Sequence, residues 1–144
     1  MATSHKRRRA LVTLLPVDLD IVGVDFVFSG NASIVRANGD LMLNGLPTEV
    51  EVDIHLRTRG FCFANDGTND SAAKALFLSG DIQDKDKSKP LPSVFRDASI
   101  NYPKYDHLTL TSKNNDHKTY YYTLNVMGPN GPLSWDPIIV NKGY

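Results

Sequence analysis

One cysteine, four histidines and a late methionine are the residues of this 144-residue chain that could hold a soft metal ion. A blue-copper site needs a thiolate, two imidazoles and a weak axial thioether, drawn together from one short loop. Here Cys62 is followed by Ala64 to Ser71 without a histidine, and His5, His55, His107 and His117 are dispersed. Zinc and copper sites announce themselves by close spacing, so the four read as surface histidines and no metal or cofactor is expected. Cys62 stands between Phe61 and Phe63, where a thiol behaves as a small buried hydrophobe rather than a nucleophile. Asn65, Asp66, Asn69 and Asp70 lack the alternate-position spacing of an EF-hand and read as a turn-rich loop. The carboxylate pairs Asp18 with Asp20 and Glu49 with Glu51 share a face if their segments are strands, as carboxylates on a solvent face commonly do. There is no Gly-x-Ser-x-Gly elbow and no phosphate-cradling glycine loop. The residue types and spacings thus predict no catalytic set, and a protein that is not an enzyme.

Charge is balanced, 16 basic against 16 acidic residues, so no global field points to nucleic acid or an anionic membrane. It is uneven locally. Residues 1–9 form a basic arm in which Lys6, Arg7, Arg8 and Arg9 could neutralise about four phosphates, the alternative reading being a coat-like or nucleic-acid-binding protein. The apolar run Ala10 to Leu15 stops at Pro16, with Asp18 and Asp20 beyond, which does not suit a secretory signal. No run reaches the roughly 18 apolar residues of a membrane helix. A single cysteine excludes an intramolecular disulfide, so a soluble, cytoplasmic protein without membrane contact is expected.

The elements that would position these residues are strands. From Thr48 to Arg59 apolar and polar residues alternate without a break: Val50, Val52, Ile54 and Leu56 on one side, Glu49, Glu51, Asp53, His55 and Arg57 on the other. Period two is a half-buried strand, and its apolar face requires a second layer. Ala10 to Leu15 and Asp18 to Phe28 are further candidates, the second with Val22, Val24, Phe26 and Phe28 on one face. Asn38-Gly39 predicts a two-residue type I′ hairpin joining Ser33–Ala37 to Asp40–Asn44. Ala75 to Ser79 is a strand, and Asp81 to Pro92 a charged surface loop. His107 to Ser112 and Thr119 to Met127 read as partners joined by a hairpin loop at Lys113–Asp116, with Tyr120, Tyr122, Leu124 and Val126 on one face. A loop over Gly128–Pro132 leads to a last strand, Trp135 to Asn141. About nine short strands in one domain, residues 10–144, predict an all-β, antiparallel immunoglobulin-like β-sandwich of about 7–9 strands, with a small closed barrel as the alternative.

Asp116-His117-Lys118-Thr119-Tyr120-Tyr121-Tyr122, followed by Leu124-Asn125-Val126, resembles the penultimate strand of an immunoglobulin-like domain. That resemblance makes Tyr120 the corner tyrosine, its hydroxyl tied back to nearby chain. Tyr122 stands where an antibody domain has its second cysteine, and Trp135 comes too late to be the usual core tryptophan, so an antibody-type domain is not implied. The ending, a Tyr-rich strand, a Gly-containing loop and then Asp136-Pro137-Ile138-Ile139-Val140, also resembles the small bacterial proteins of the DP-EP family. It implies structural roles for Tyr120, Trp135, Asp136 and Pro137 and brings no established activity. A protein partner, or a second copy, would then add at a sheet edge.

Overall fold

The computed structural model describes residues 12–78 and 92–142. The basic arm with Lys6, Arg7, Arg8 and Arg9, and the charged stretch 81–91, lie outside the described residues. Eleven strands and one 3-10 turn at Leu43–Gly45 make up the regular structure, with no α-helix among the described residues. No helix there is long and apolar enough to cross a membrane.

Thr13–Val22 (β1) and Asp25–Gly30 (β2) form a hairpin, so the expected strand over Asp18–Phe28 is two strands with a turn at Gly23-Val24. Val22 and Val24 consequently stand out at the tip, 62% and 69% exposed, while Phe26 and Phe28 are buried. Pro16 lies within β1 rather than ending it. Pairing with β2 begins at Val17, so the missing N–H of Pro16 takes nothing from that ladder.

Val50–Leu56 (β4) alternates buried and half-buried side chains as its period predicts. It is the central strand of a five-stranded sheet, with β1 on one side and His107–Ser112 (β8) on the other. Phe95–Ile100 (β7) closes that sheet beyond β8. The second sheet is built on Thr119–Gly128 (β9), which pairs with Cys62–Phe63 (β5) and Leu76–Leu78 (β6). It also pairs with Gly131–Trp135 (β10) and Ile138–Val140 (β11). Leu41–Met42 (β3) adds to β11. The inward faces, Val50, Val52, Ile54, Leu56, Leu108 and Leu110 from one sheet with Tyr122, Leu124, Val126 and Ile139 from the other, form one buried cluster. This is an all-β sandwich and not a closed barrel.

Four further expectations are corrected. The sheets are mixed rather than antiparallel, because β1 pairs parallel with β4 and β11 parallel with β3. A parallel pair needs a long connection, and the chain from β2 to β4 supplies one by crossing to the other sheet at β3. At Asn38-Gly39 only Gly39 has positive φ, +94°. Its N–H donates to Arg36 O, and Arg36 N–H to Asp40 O, both 2.9 Å. That is a three-residue loop closing on a left-handed glycine, not a type I′ turn, and Val35 keeps only a single bridge to Leu41. The expected last strand is split at Asp136-Pro137, with Gly131–Pro132 recruited into β10.

The fourth correction concerns Lys113–Asp116, which is no hairpin loop: β8 and β9 lie in different sheets. Asn114 decides this. It is buried at a left-handed φ of 55°, and its Nδ2 donates to the carbonyls of Leu43, Leu46 and Thr48 at 2.9–3.1 Å. Its Oδ1 accepts from Lys142 N at 2.6 Å, and its own N–H donates to Ser112 Oγ at 3.0 Å. Ser112 Oγ donates to Asn141 Oδ1 at 2.9 Å, and Asn141 Nδ2 to Asp116 Oδ1 at 3.0 Å. The turn is thereby tied to two other segments, residues 43–48 and 141–142, which carries the chain from one sheet to the other.

Candidate functional site

The outer face of the five-stranded sheet gathers titratable side chains. On β4, Glu51, Asp53 and His55 point outward, and the register sets them against neighbours on β1 and β8. One row across the sheet reads Asp18, His55, His107. Leu56 N–H donates to Asp106 O at 2.7 Å, so Leu56 and Asp106 form a hydrogen-bonded pair and His55 with His107 the adjacent non-hydrogen-bonded pair. Side chains stand closest in such pairs. The two imidazoles accordingly stack, with centroids 4.1 Å apart and planes 11° from parallel.

Carboxylates flank the stack on both sides. His107 Nδ1 is 3.0 Å from Asp106 Oδ1, and His55 Nδ1 is 4.0 Å from Asp18 Oδ1, with both imidazoles 40% exposed. Asp106 is held firmly. Asn101 Nδ2 donates to its Oδ1 at 2.6 Å, while Asn101 Oδ1 accepts the backbone N–H groups of Asp106 and His107 at 2.9 and 2.7 Å. Partial burial pushes the Asp106 carboxyl up, but the hydrogen bonds from Asn101 and His107 and the charge of His107 outweigh it, and the group ends below its usual range. Arg57 Nη1 faces Asp18 Oδ2 at 3.5 Å. Two residues from His55 on the same face, Asp53 Oδ1 is buried with no hydrogen-bond partner among the described residues, a costly arrangement for a carboxylate.

The segment leading into Asp106 is bent sharply. Tyr105 has φ of 55°, uncommon for a bulky residue, and is held there by its hydroxyl on Asn69 O at 3.1 Å and its N–H on Asn101 O at 2.7 Å. Burial, with the negative charge of Asp66 behind it, raises the pKa of that hydroxyl. Beside this turn an open cleft of about 510 Å³ is lined by Asp70, Ser99, Asn101, Tyr102, His107 and Thr109 among others. A second feature lies at one end of the sandwich. The β1–β2 turn, Phe61 and the β9–β10 turn at Pro129-Asn130 converge on a shallow cavity of about 80 Å³, next to exposed Val22, Val24 and Met127.

The residues singled out in the sequence fall elsewhere. Tyr120 is buried near the start of β9, and its hydroxyl donates to Asp116 Oδ2. Trp135 stacks on Phe26, centroids 5.5 Å apart, and its Nε1 donates to Asn38 O at 2.7 Å. Asp136 Oδ1 accepts from Thr123 Oγ1 at 2.6 Å, and Pro137 O from Tyr122 N at 2.9 Å, so the pair pins the break between β10 and β11. Cys62 is only half-buried, with Phe61 on one side and Phe63 in the core. Sequence reasoning passed over His55 and His107 because 51 residues separate them; the available signal was one histidine on the polar face of each of two predicted strands.

No protein-family model matches the chain, and a search of the curated proteins finds no match.

Proposed function

We propose that the protein is a non-enzymatic interaction module of immunoglobulin-like type that recognises a protein partner. The observation that carries this reading is the strand connectivity. In chain order β4 lies in the five-stranded sheet, β5 with β6 in the other, β7 and β8 back in the first, and β9 with β10 and β11 in the second, so that β4-β8-β7 are neighbours in one and β6-β9-β10/β11 in the other. This pattern matches the B-E-D and C-F-G strand orders of immunoglobulin-like domains and supports that reading. Tyr120, at the corner leading into β9, adds weight, its hydroxyl bonding the side chain of Asp116 four residues back. The departure is β1, which lies parallel to β4 where the first strand of such domains runs antiparallel.

The edges of the five-stranded sheet leave little room for an added strand. Phe28 N–H on β2 is taken by Ala37 O, and Ile100 N–H on β7 by Asp70 O, while β7 bulges at Asp97. Such devices blunt an edge. The loop end suits a partner better. It joins the counterparts of the B–C and F–G loops, which bind ligand in variable domains, to the exposed valines at the β1–β2 tip. The test pairs Val24→Asp with sedimentation velocity and pull-down. The parent chain retains a protein partner, or pairs with itself, and the folded V24D chain loses it. A strict monomer that holds no protein yet turns over a small molecule overturns the reading.

A further inference from the structure

We propose that His55, His107 and Asp106 form a binding site for a divalent transition-metal ion of the zinc type on the outer face of the five-stranded sheet. One donor atom from each of the three lies within 4.8 Å of the others. His107 Nδ1 and Asp106 Oδ1, 3.0 Å apart, need to part by only a few tenths of an ångström to reach the spacing of two donors on one tetrahedral ion, about 3.3–3.6 Å for metal–ligand lengths of about 2.0–2.2 Å. The ion takes the place of the hydrogen bond between these two atoms, and His107 binds through Nδ1 as the neutral tautomer with its proton on Nε2, so a proton goes to solvent only from an imidazole that was doubly protonated. His55 supplies the third donor, which half-exposed side chains on fixed strands reach by rotating χ angles without backbone movement.

The surroundings fit this assignment. Asn101 holds Asp106 through its carboxylate and its backbone N–H, the outer support that ligating groups usually have. Asp18 flanks His55, and Asp53 presents an unpartnered buried oxygen on the same face, so the local field favours a cation. Arg57 is the facing positive charge, and it is engaged with Asp18. Imidazole and carboxylate donors suit zinc, copper and nickel over magnesium or calcium. Three protein ligands leave a fourth position open, and because His107 also lines the 510 Å³ cleft, a carboxylate or hydroxyl ligand seated there could complete the shell.

The test is calorimetric titration of Zn²⁺ into the full chain at pH 7.5, with Co²⁺ absorption as a second readout. One ion binds per chain, and His55→Gln, His107→Ala and Asp106→Asn each weaken it by about tenfold or more. His5→Ala and His117→Ala bind as the parent does. At equal Zn²⁺ the Tm of the parent rises more than that of H107A; should H107A fail to fold, His107→Asn replaces it. The proposal is overturned if no single-site binding occurs up to millimolar Zn²⁺, or if H55Q and H107A bind as tightly as the parent.

Discussion

Two polar clusters have opposite characters. At the turn between β8 and β9, Ser112, Asn114, Asp116, Tyr120 and Asn141 bond one another and the surrounding backbone, with Asn114 and Asn141 fully buried. On the outer face of the five-stranded sheet, Asp18, Asp53, His55, Asp106 and His107 are half-exposed, and their donors and acceptors are only partly used. Buried polar groups must be satisfied or they destabilise the fold, so the first cluster is spent on holding the two sheets together. A half-exposed cluster with unused lone pairs stabilises little and is left available for a ligand.

The largest effect should come from Asn114. Replacing it with Ala strands three carbonyls and leaves a left-handed backbone without the residue type that tolerates it, a loss of about 3 kcal/mol or more in urea unfolding. Asn114→Gly loses the same bonds but relieves the backbone, so it should recover about 1 kcal/mol of that. A loss below 1 kcal/mol for N114A would erase the contrast between the clusters.

Asp106→Asn probes the other cluster through pH. The folded-state carboxyl is held below its unfolded value, so its contribution is complete above about pH 4, the ordinary carboxylate range, and disappears as pH falls through the lower folded value. The parent chain should therefore lose stability on that acid limb, and D106N should lose less of it. Identical acid limbs in urea titrations at pH 2–5 would deny Asp106 its Asn101 and His107 partners.

His55→Gln should shift metal-free stability by about 0.5 kcal/mol or less, as for other half-exposed positions away from a buried network. A loss of 2 kcal/mol would mean that the imidazole stack holds the sheet together. A change equally small but of opposite sign is expected at Asp53→Thr. Removing a carboxylate with an unsatisfied buried oxygen and placing a β-branched residue on a strand should stabilise by about 0.5 kcal/mol, read as a small rise in Tm. A fall would show that Asp53 has a partner in solution.

Alternation along the chain determined that β4, β8 and β9 are half-buried strands, which residues of each face the core, and that the domain is all-β. Those properties are local: period two needs only the order of residues, as Val50 to Leu56 and Tyr120 to Val126 illustrate. Which strand lies beside which was not legible. Lys113–Asp116 has a length that serves a hairpin or a crossing between sheets equally well, and the choice rests on Asn114 finding Leu43, Leu46 and Thr48, carbonyls more than 60 residues away. Pro16 reads as a strand end until the structure places it one residue beyond the β2 ladder. His55 and His107 become neighbours solely through the register of β4 on β8. Register and sheet membership follow from long-range burial and distant hydrogen bonds, so the candidate metal site belongs to the tertiary structure alone.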